Sequence, residues 1–148
     1  MNHLYVVDTV TFINYYNDFF NEESRISSST RKLLDKCFDY FDSEYKLIIP
    51  SIVFVELYDK FLKSEEKAFE FKYEIFNPIK ENIDIQIRSI DQELMECFIN
   101  IQIAKVKLEL HDKIVLSTAL ILNCPIITCD NKIIEFLNNT DKTIRHFF

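Results

Sequence analysis

Residues 4–9 read LYVVDT, four apolar residues followed at once by an acid and a threonine. An unbroken apolar run of this length, rich in valine, suits a strand buried on both faces of a parallel sheet. Asp8 closes that strand, and Thr9 is placed to cap the helix that starts in VTFINYY, residues 10–16.

The same alternation continues outward. NEESRISSST (21–30) reads as a loop, and RKLLDKCFDYF (31–41) as an amphipathic helix with Leu33, Leu34, Cys37, Phe38 and Phe41 on one face. KLII (46–49) is a short strand closed by Pro50, and SIVFVELYDKFL (51–62) a helix whose capping hydroxyl is Ser51. Residues 63–76 are helical in charge pattern, with Phe69, Tyr73 and Phe76 on one side and Pro78 ending the element. Ile83, Ile85 and Ile87 alternate with polar residues, which predicts a strand with one wetter face, nearer an edge. Asp91 caps the helix expected over 91–108. HDKIVLSTALILN (111–123) is a further helix, with Ile114, Val115, Thr118, Ala119 and Leu122 as its buried stripe and Asn123 in the left-handed position that ends it. CPIITCD (124–130) is a strand, NKIIEFLNN (131–139) a helix and KTIRHFF (142–148) a last strand. Strands alternating with helices predict one α/β domain over residues 1–148, three layers deep, around a mainly parallel sheet.

Four acids stand at the junctions of this pattern. Asp8 and Asp130 end strands, Glu56 lies between one and two turns into the helix after Pro50, and Asp112 opens its helix, where the positive end of the backbone dipole favours a carboxylate. In a parallel sheet the carboxyl ends of the strands share one edge, and ligands bind in the crevice there. Glu56 follows IVFV, where an unpaired charge is costly. Two carboxylates about 4 Å apart repel by roughly 4 kcal/mol at an effective dielectric of about 20, so several together require a cation. A site made of acids with no adjacent histidine or cysteine points to Mg²⁺ or Mn²⁺. Taken singly, Asp8 also reads as a helix start, Asp112 as an N-cap, Asp130 as the cap of the helix from Asn131 and Glu56 as a surface glutamate; the case rests on their coincidence. His111, next to Asp112, reads as a helix-end or surface histidine rather than a general base.

Composition removes other chemistries. The chain has 148 residues, 48% of them hydrophobic, enough for a real core. It contains no glycine, which excludes a P-loop, a dinucleotide fingerprint and a glycine-flanked serine elbow. A net charge of −7 argues against a broad basic nucleic-acid face, though not against a local contact. The four cysteines, Cys37, Cys97, Cys124 and Cys129, form no CxxC pair and are read as small, buried, apolar thiols. Without a basic leader or an apolar stretch of about 18 residues, the expected location is the cytoplasm, with no membrane segment.

LYVVDT, IIPSIVFVEL and HDKIVLSTALILNCPIITCDNKI together resemble the PIN-domain ribonucleases of the VapC toxin type, along nearly the whole chain. The resemblance implies that Asp8, Glu56, Asp112 and Asp130 are the acidic quartet that binds Mg²⁺ or Mn²⁺ and carries catalysis. It implies endonucleolytic cleavage of single-stranded or loop RNA by a metal-activated water, leaving a 5′-phosphate and a 3′-hydroxyl. Thr9 and Asn131 are candidate substrate contacts, with capping as the alternative for each. Where the family often has serine or asparagine two places after its first acid, this chain has Val10 and then Thr11; the usual glycine before the strand at 124–130 is Asn123. The implied partner is a small antitoxin covering the acids, and the aromatic region 54–76 is read as core, as part of that surface, or as a homodimer interface. The competing readings are a PIN nuclease of RNA processing and a silent PIN-like binding module. A receiver domain needs paired acids near the first strand and a haloacid-dehalogenase phosphatase a DxD there; Asp8 stands alone, so both rank below.

Overall fold

The computed structural model describes residues 3–38, 44–104, 106–139 and 146–147. In chain order the elements are β1 (His3–Val7), α1 (Thr9–Tyr15), α2 (Asn17–Phe20), α3 (Ser28–Phe38), β2 (Tyr45–Pro50), α4 (Ser51–Lys60) and α5 (Glu65–Phe71). A π-helical turn (Lys72–Phe76) joins α5 to α6 (Asn77–Glu81), followed by β3 (Ile85–Arg88), α7 (Gln92–Ile103), α8 (Leu110–Leu122), β4 (Ile126–Ile127), α9 (Asn131–Asn139) and β5 (His146–Phe147). The five strands pair in the order β3-β2-β1-β4-β5, and every pairing is parallel.

Side-chain alternation on the strands explains the three layers. Tyr5, Val7, Leu47, Ile49, Ile85 and Ile127 point to one face, where they meet Phe12 of α1, Leu34 of α3, Val53, Phe54 and Leu57 of α4, and Phe71, Ile75 and Ile79 of the α5–α6 segment. Val6, Ile48 and Ile126 point to the other face, against Ile101 of α7, Val115, Leu116 and Ala119 of α8, and Ile133 and Leu137 of α9. A strand covered on both sides has no polar face to show, hence the unbroken apolar runs at residues 4–7 and 46–49.

The expectations about element ends need several corrections. Asp8, not Thr9, caps α1: its backbone is extended and its carboxylate accepts from Thr11 N at 2.9 Å. Ser51 caps nothing; it is the first helical residue after Pro50, and α4 has no side-chain cap. Helix α3 begins within the stretch read as loop, because Ser27 Oγ accepts from Thr30 N at 3.1 Å and starts the turn three residues earlier. Pro78 does not stop its helix: it lies in the first turn of α6, where the missing N–H costs no hydrogen bond. Ile83 is in a turn and 86% exposed, so β3 begins at Ile85, and it is an edge strand as expected. Helix α7 ends at Ile103, short of residue 108, and β4 spans two residues of the seven in CPIITCD. Residues 39–41 of the expected helix, and 142–145 and 148 of the last strand, lie outside the described residues.

Other expectations hold. Asp91 accepts from Leu94 N at 2.9 Å and caps α7. The stripe of Ile114, Val115, Thr118 and Ala119 is buried, with Leu122 half-buried at its end. All four cysteines are free as expected, but only Cys37 and Cys124 are buried; Cys97 and Cys129 are half-buried. Among the described residues, no helix is long and apolar enough to cross a membrane. Asn123 ends α8 at φ 48° and ψ 51°. Because a Cβ is disfavoured there unless the side chain compensates locally, Asn123→Ala is expected to lower stability by about 1 kcal/mol and Asn123→Gly to preserve it. Urea denaturation of the two variants checks this; equal midpoints would refute it.

Candidate metal and active site

Strand order changes direction between β1 and β4: from β1 the chain first builds outward through β2 and β3, then returns to place β4 and β5 on the other side. At such a point the loops after neighbouring strands diverge and leave a crevice beyond their carboxyl ends. Asp8 follows β1, and Thr128 to Asp130 follow β4, so both edges of the crevice carry polar residues.

Asp8 is buried, 1% exposed. One carboxylate oxygen accepts from Thr11 N, and the other accepts a short hydrogen bond from the Thr128 hydroxyl. Thr128 Oγ1 also accepts from Asp130 N at 3.0 Å, and Thr11 Oγ1 accepts from Cys129 N at 3.0 Å. These bonds staple the end of β1 to the end of β4 across about the whole sequence. Burial pushes the Asp8 carboxyl above the usual carboxylate range, the bonds from Thr11 and Thr128 oppose that rise, and nearby Asp130 adds to it.

Asp112, in the first turn of α8, is 4% exposed. Burial raises its carboxyl to about 6; His111 opposes the rise, and Asp130, Asp8 and Glu109 add to it. Three of the four expected acids therefore feel one another. Glu56 joins them through its partners: Thr9 Oγ1 donates to Oε1 at 2.5 Å, while Lys60 Nζ and His111 Nε2 stand 3.5 and 3.4 Å from Oε2. The charge that IVFV made costly is paired. Asp130 also caps α9, through Oδ1 to Lys132 N at 2.8 Å and its carbonyl to Ile134 N at 3.1 Å. Of the candidate substrate contacts, Thr9 is buried with its hydroxyl on Glu56, and Asn131 opens α9 with an exposed side chain.

Two features depart from the sequence reading. A histidine does adjoin the acids: His111 Nε2 lies 3.4 Å from carboxylate oxygens of Glu56, Glu109 and Asp112, with 23% of the side chain exposed. Among the described residues, Glu109, His111 and Asp112 form the group of three metal-ligand side chains whose donor atoms all lie within 4.8 Å of one another. Glu56 reaches the same histidine, and Asp8 and Asp130 act on Asp112 through their charge. Thr128 and Thr11 were the second omission. Thr128 reads as strand interior, and its bond to Asp8 spans 120 positions; the only local signal is a hydroxyl two residues before an acid at a strand end.

Glu109, His111 and Asp112 could together hold a divalent metal ion. Asp112 receives no hydrogen bond from another described residue, and the bonds Asp8 accepts from Thr11 and Thr128 are fewer than the roughly four a carboxylate can take, so both keep lone pairs to offer. Thr128→Val would orphan both an Asp8 oxygen and Asp130 N; the expected loss is about 2 kcal/mol, read as a lower urea midpoint, and an unchanged midpoint would show the staple to be idle.

The sequence pattern described as the PIN domain matches residues 5–147. No curated protein matches the chain. Among solved structures, VapBC2 from Rickettsia felis bound to a DNA fragment from their promoter superposes with a TM-score of 0.63 at 16% identity, covering 98% of this chain and 99% of that one. VapBC-1 from nontypeable Haemophilus influenzae gives 0.61 at 12% identity, covering 97% and 96%. A toxin–antitoxin complex from Klebsiella pneumoniae gives 0.54 at 16%, covering 95% and 98%. At such identities the likeness is one of fold.

Proposed function

The chain belongs to the PIN-domain family, and from that premise we propose that it is a Mg²⁺- or Mn²⁺-dependent endoribonuclease acting as the toxin of a toxin–antitoxin pair. The observation that carries this reading is the convergence of buried Asp8 and Asp112 with Asp130 at the point where strand order reverses, with both buried carboxyls pushed upward. Protein does not accumulate mutually repelling, buried carboxylates for stability, and shifts of this kind cluster at working sites.

Asp8, Glu56, Asp112 and Asp130 are the residues we assign to metal binding and catalysis, with Glu109 and His111 beside them. A bound dication supplies charge neutralisation at the scissile phosphate and a water of lowered pKa. The chain's own part is positional. Thr11 and Thr128 hold the Asp8 carboxylate from two sides, Thr9 holds Glu56, and His111 occupies the gap between Glu56 and Asp112. Burial of Asp8 and Asp112 excludes bulk water from the side of the site formed by β1 and α8.

The toxin assignment is supported by solved structures of similar fold that are described as toxin–antitoxin or VapBC complexes. Within the aromatic region 54–76, Phe54 and Phe71 are core, whereas Tyr58, Phe69 and Tyr73 stay exposed and are the part we assign to an antitoxin contact. The decisive experiment incubates the purified chain with total RNA and Mn²⁺ and maps the new ends. Discrete internal cuts with 5′-phosphates, abolished by EDTA, are expected. Intact RNA, or cutting indifferent to EDTA, would overturn the reading.

A further inference from the structure

We propose that the cleft lined by Lys107, Lys132, Glu135 and Phe136 seats a nucleotide flanking the cleavage point, its phosphate between the two lysines and its base against Phe136. The inference rests on the nuclease reading and adds a place for the substrate strand.

The cleft has a volume of about 340 Å³, and Lys132 on its wall links it to the acids. Lys132 Nζ is 3.8 Å from Glu109 Oε1, Glu109 Oε2 is 3.4 Å from His111 Nε2, and His111 Nε2 is 3.4 Å from Asp112. The backbone of Lys132 is anchored as well, its N–H on Asp130 Oδ1. A strand with its scissile phosphate at the acids therefore meets this cleft next. With 24 acidic residues against 17 lysines and arginines, a polyanion is repelled by most of the chain, which makes two lysines lining one cleft a selective foothold.

The cations are available. Lys107 forms no ion pair among the described residues, and the pair between Lys132 and Glu109 joins two exposed groups, so it is weak and can be exchanged for a phosphate. Glu135 on the wall keeps the cleft from being strongly basic, which suits a single phosphate better than a long duplex. Phe136 is half-buried on the core beneath α9, so its ring is held in place to form the apolar wall. Stacking on a fixed ring is tolerant of base identity. A second cleft, lined by Tyr15, Phe19, Arg31 and Glu74, offers less, because the Arg31 guanidinium is committed to the carbonyls of Asn14 and Tyr15.

The test compares the parent with Lys107→Gln/Lys132→Gln and with Phe136→Leu. Binding of a fluorescein-labelled, ten-nucleotide single-stranded RNA is followed by anisotropy in EDTA over a range of salt. The double variant is expected to bind about tenfold more weakly at low salt, with the slope of log affinity against log salt reduced by about 0.7, one phosphate contact's worth. Phe136→Leu should weaken binding about fivefold with the slope unchanged, since stacking carries no charge. Hydrolysis of bis(p-nitrophenyl) phosphate in Mn²⁺, a substrate too short to reach the cleft, should be retained by the double variant. Parental RNA affinity and salt slope in the double variant would overturn the assignment, and so would an equal loss on the small phosphodiester, which would place the lysines at the acids instead. A parent that cuts neither RNA nor the small substrate removes the nuclease reading, while the binding arm still decides whether the cleft takes nucleic acid.

Discussion

Asp8→Asn is expected to reduce Mn²⁺-dependent RNA cleavage by about a thousandfold or more, a loss of roughly 4 kcal/mol in transition-state stabilisation, while leaving the fold intact. The geometry separates the two effects. An asparagine keeps one oxygen where Asp8 accepts from Thr11 N, so the cap of α1 survives. Its amide group would face the Thr128 hydroxyl, which can turn to accept where it now donates. The substitution also removes a charge from a position only 1% exposed, so stability should stay within about 1 kcal/mol of the parent or rise. What disappears is the anionic oxygen that a dication needs.

Asp8→Ala is the informative contrast. It deletes both acceptors and leaves Thr11 N and the Thr128 hydroxyl without their buried partner, so it should lose stability as well as activity. Asp112→Asn should resemble Asp8→Asn, because Asp112 receives no hydrogen bond from another described residue and acts on its surroundings through charge alone. Cleavage rates of purified variants on one RNA, alongside urea midpoints, check all three. An Asp8→Asn protein that cuts at the parental rate would remove Asp8 from the reaction.

The residues that were legible in the sequence are those whose role is enforced locally. The run at 4–7 is apolar because both faces of β1 are covered, and Asn123 stands in the left-handed position because the end of α8 demands it. Asp8, Asp112 and Asp130 could be placed because each follows a strand or lies in the first turn of a helix, and parallel topology carries such positions to one edge; Glu56, in the middle of α4, was singled out by its apolar neighbours instead. What the sequence hid is what depends on contacts between distant segments. Nothing local tells Thr128 from a strand residue until the end of β4 is laid beside Asp8. Val10 and Thr11 stand where the family often has a serine or asparagine, yet Thr11 supplies a hydroxyl to the crevice, as an acceptor for Cys129 N. Pro78 misled for a related reason: the expected stop is correct for a proline in a helix interior, and the π-helical turn before it resets the count so that Pro78 falls in a first turn. His111 was undervalued because only the packing of α4 against α8 brings Glu56 to its ring.

Stability of the metal-free protein should fall as pH rises between about 4 and about 6, and added Mn²⁺ should reverse that fall. The sign follows from Asp112. Burial raises its folded carboxyl to about 6, well above the ordinary aspartate value of about 3.9. Between those values the folded state keeps a proton that the unfolded chain has released, so raising the pH favours unfolding, by at most about 3 kcal/mol for a shift of this size. Asp8, also raised, acts in the same direction. A dication competes with those protons. At pH 7.5 Asp112 is ionised, and Mn²⁺ at a hundredfold excess over its dissociation constant should raise Tm by about 5–10 °C. At pH 5 Asp112 is roughly nine-tenths protonated, and displacing that proton weakens binding about tenfold, which cuts the gain by about 3–6 °C. Asp112→Asn should abolish most of the difference between the two pH values. Thermal melts with and without Mn²⁺ at pH 5 and 7.5 decide the matter. Equal gains at both pH values would mean that the ion binds away from Asp112, and an equal gain in Asp112→Asn would mean the same by an independent route.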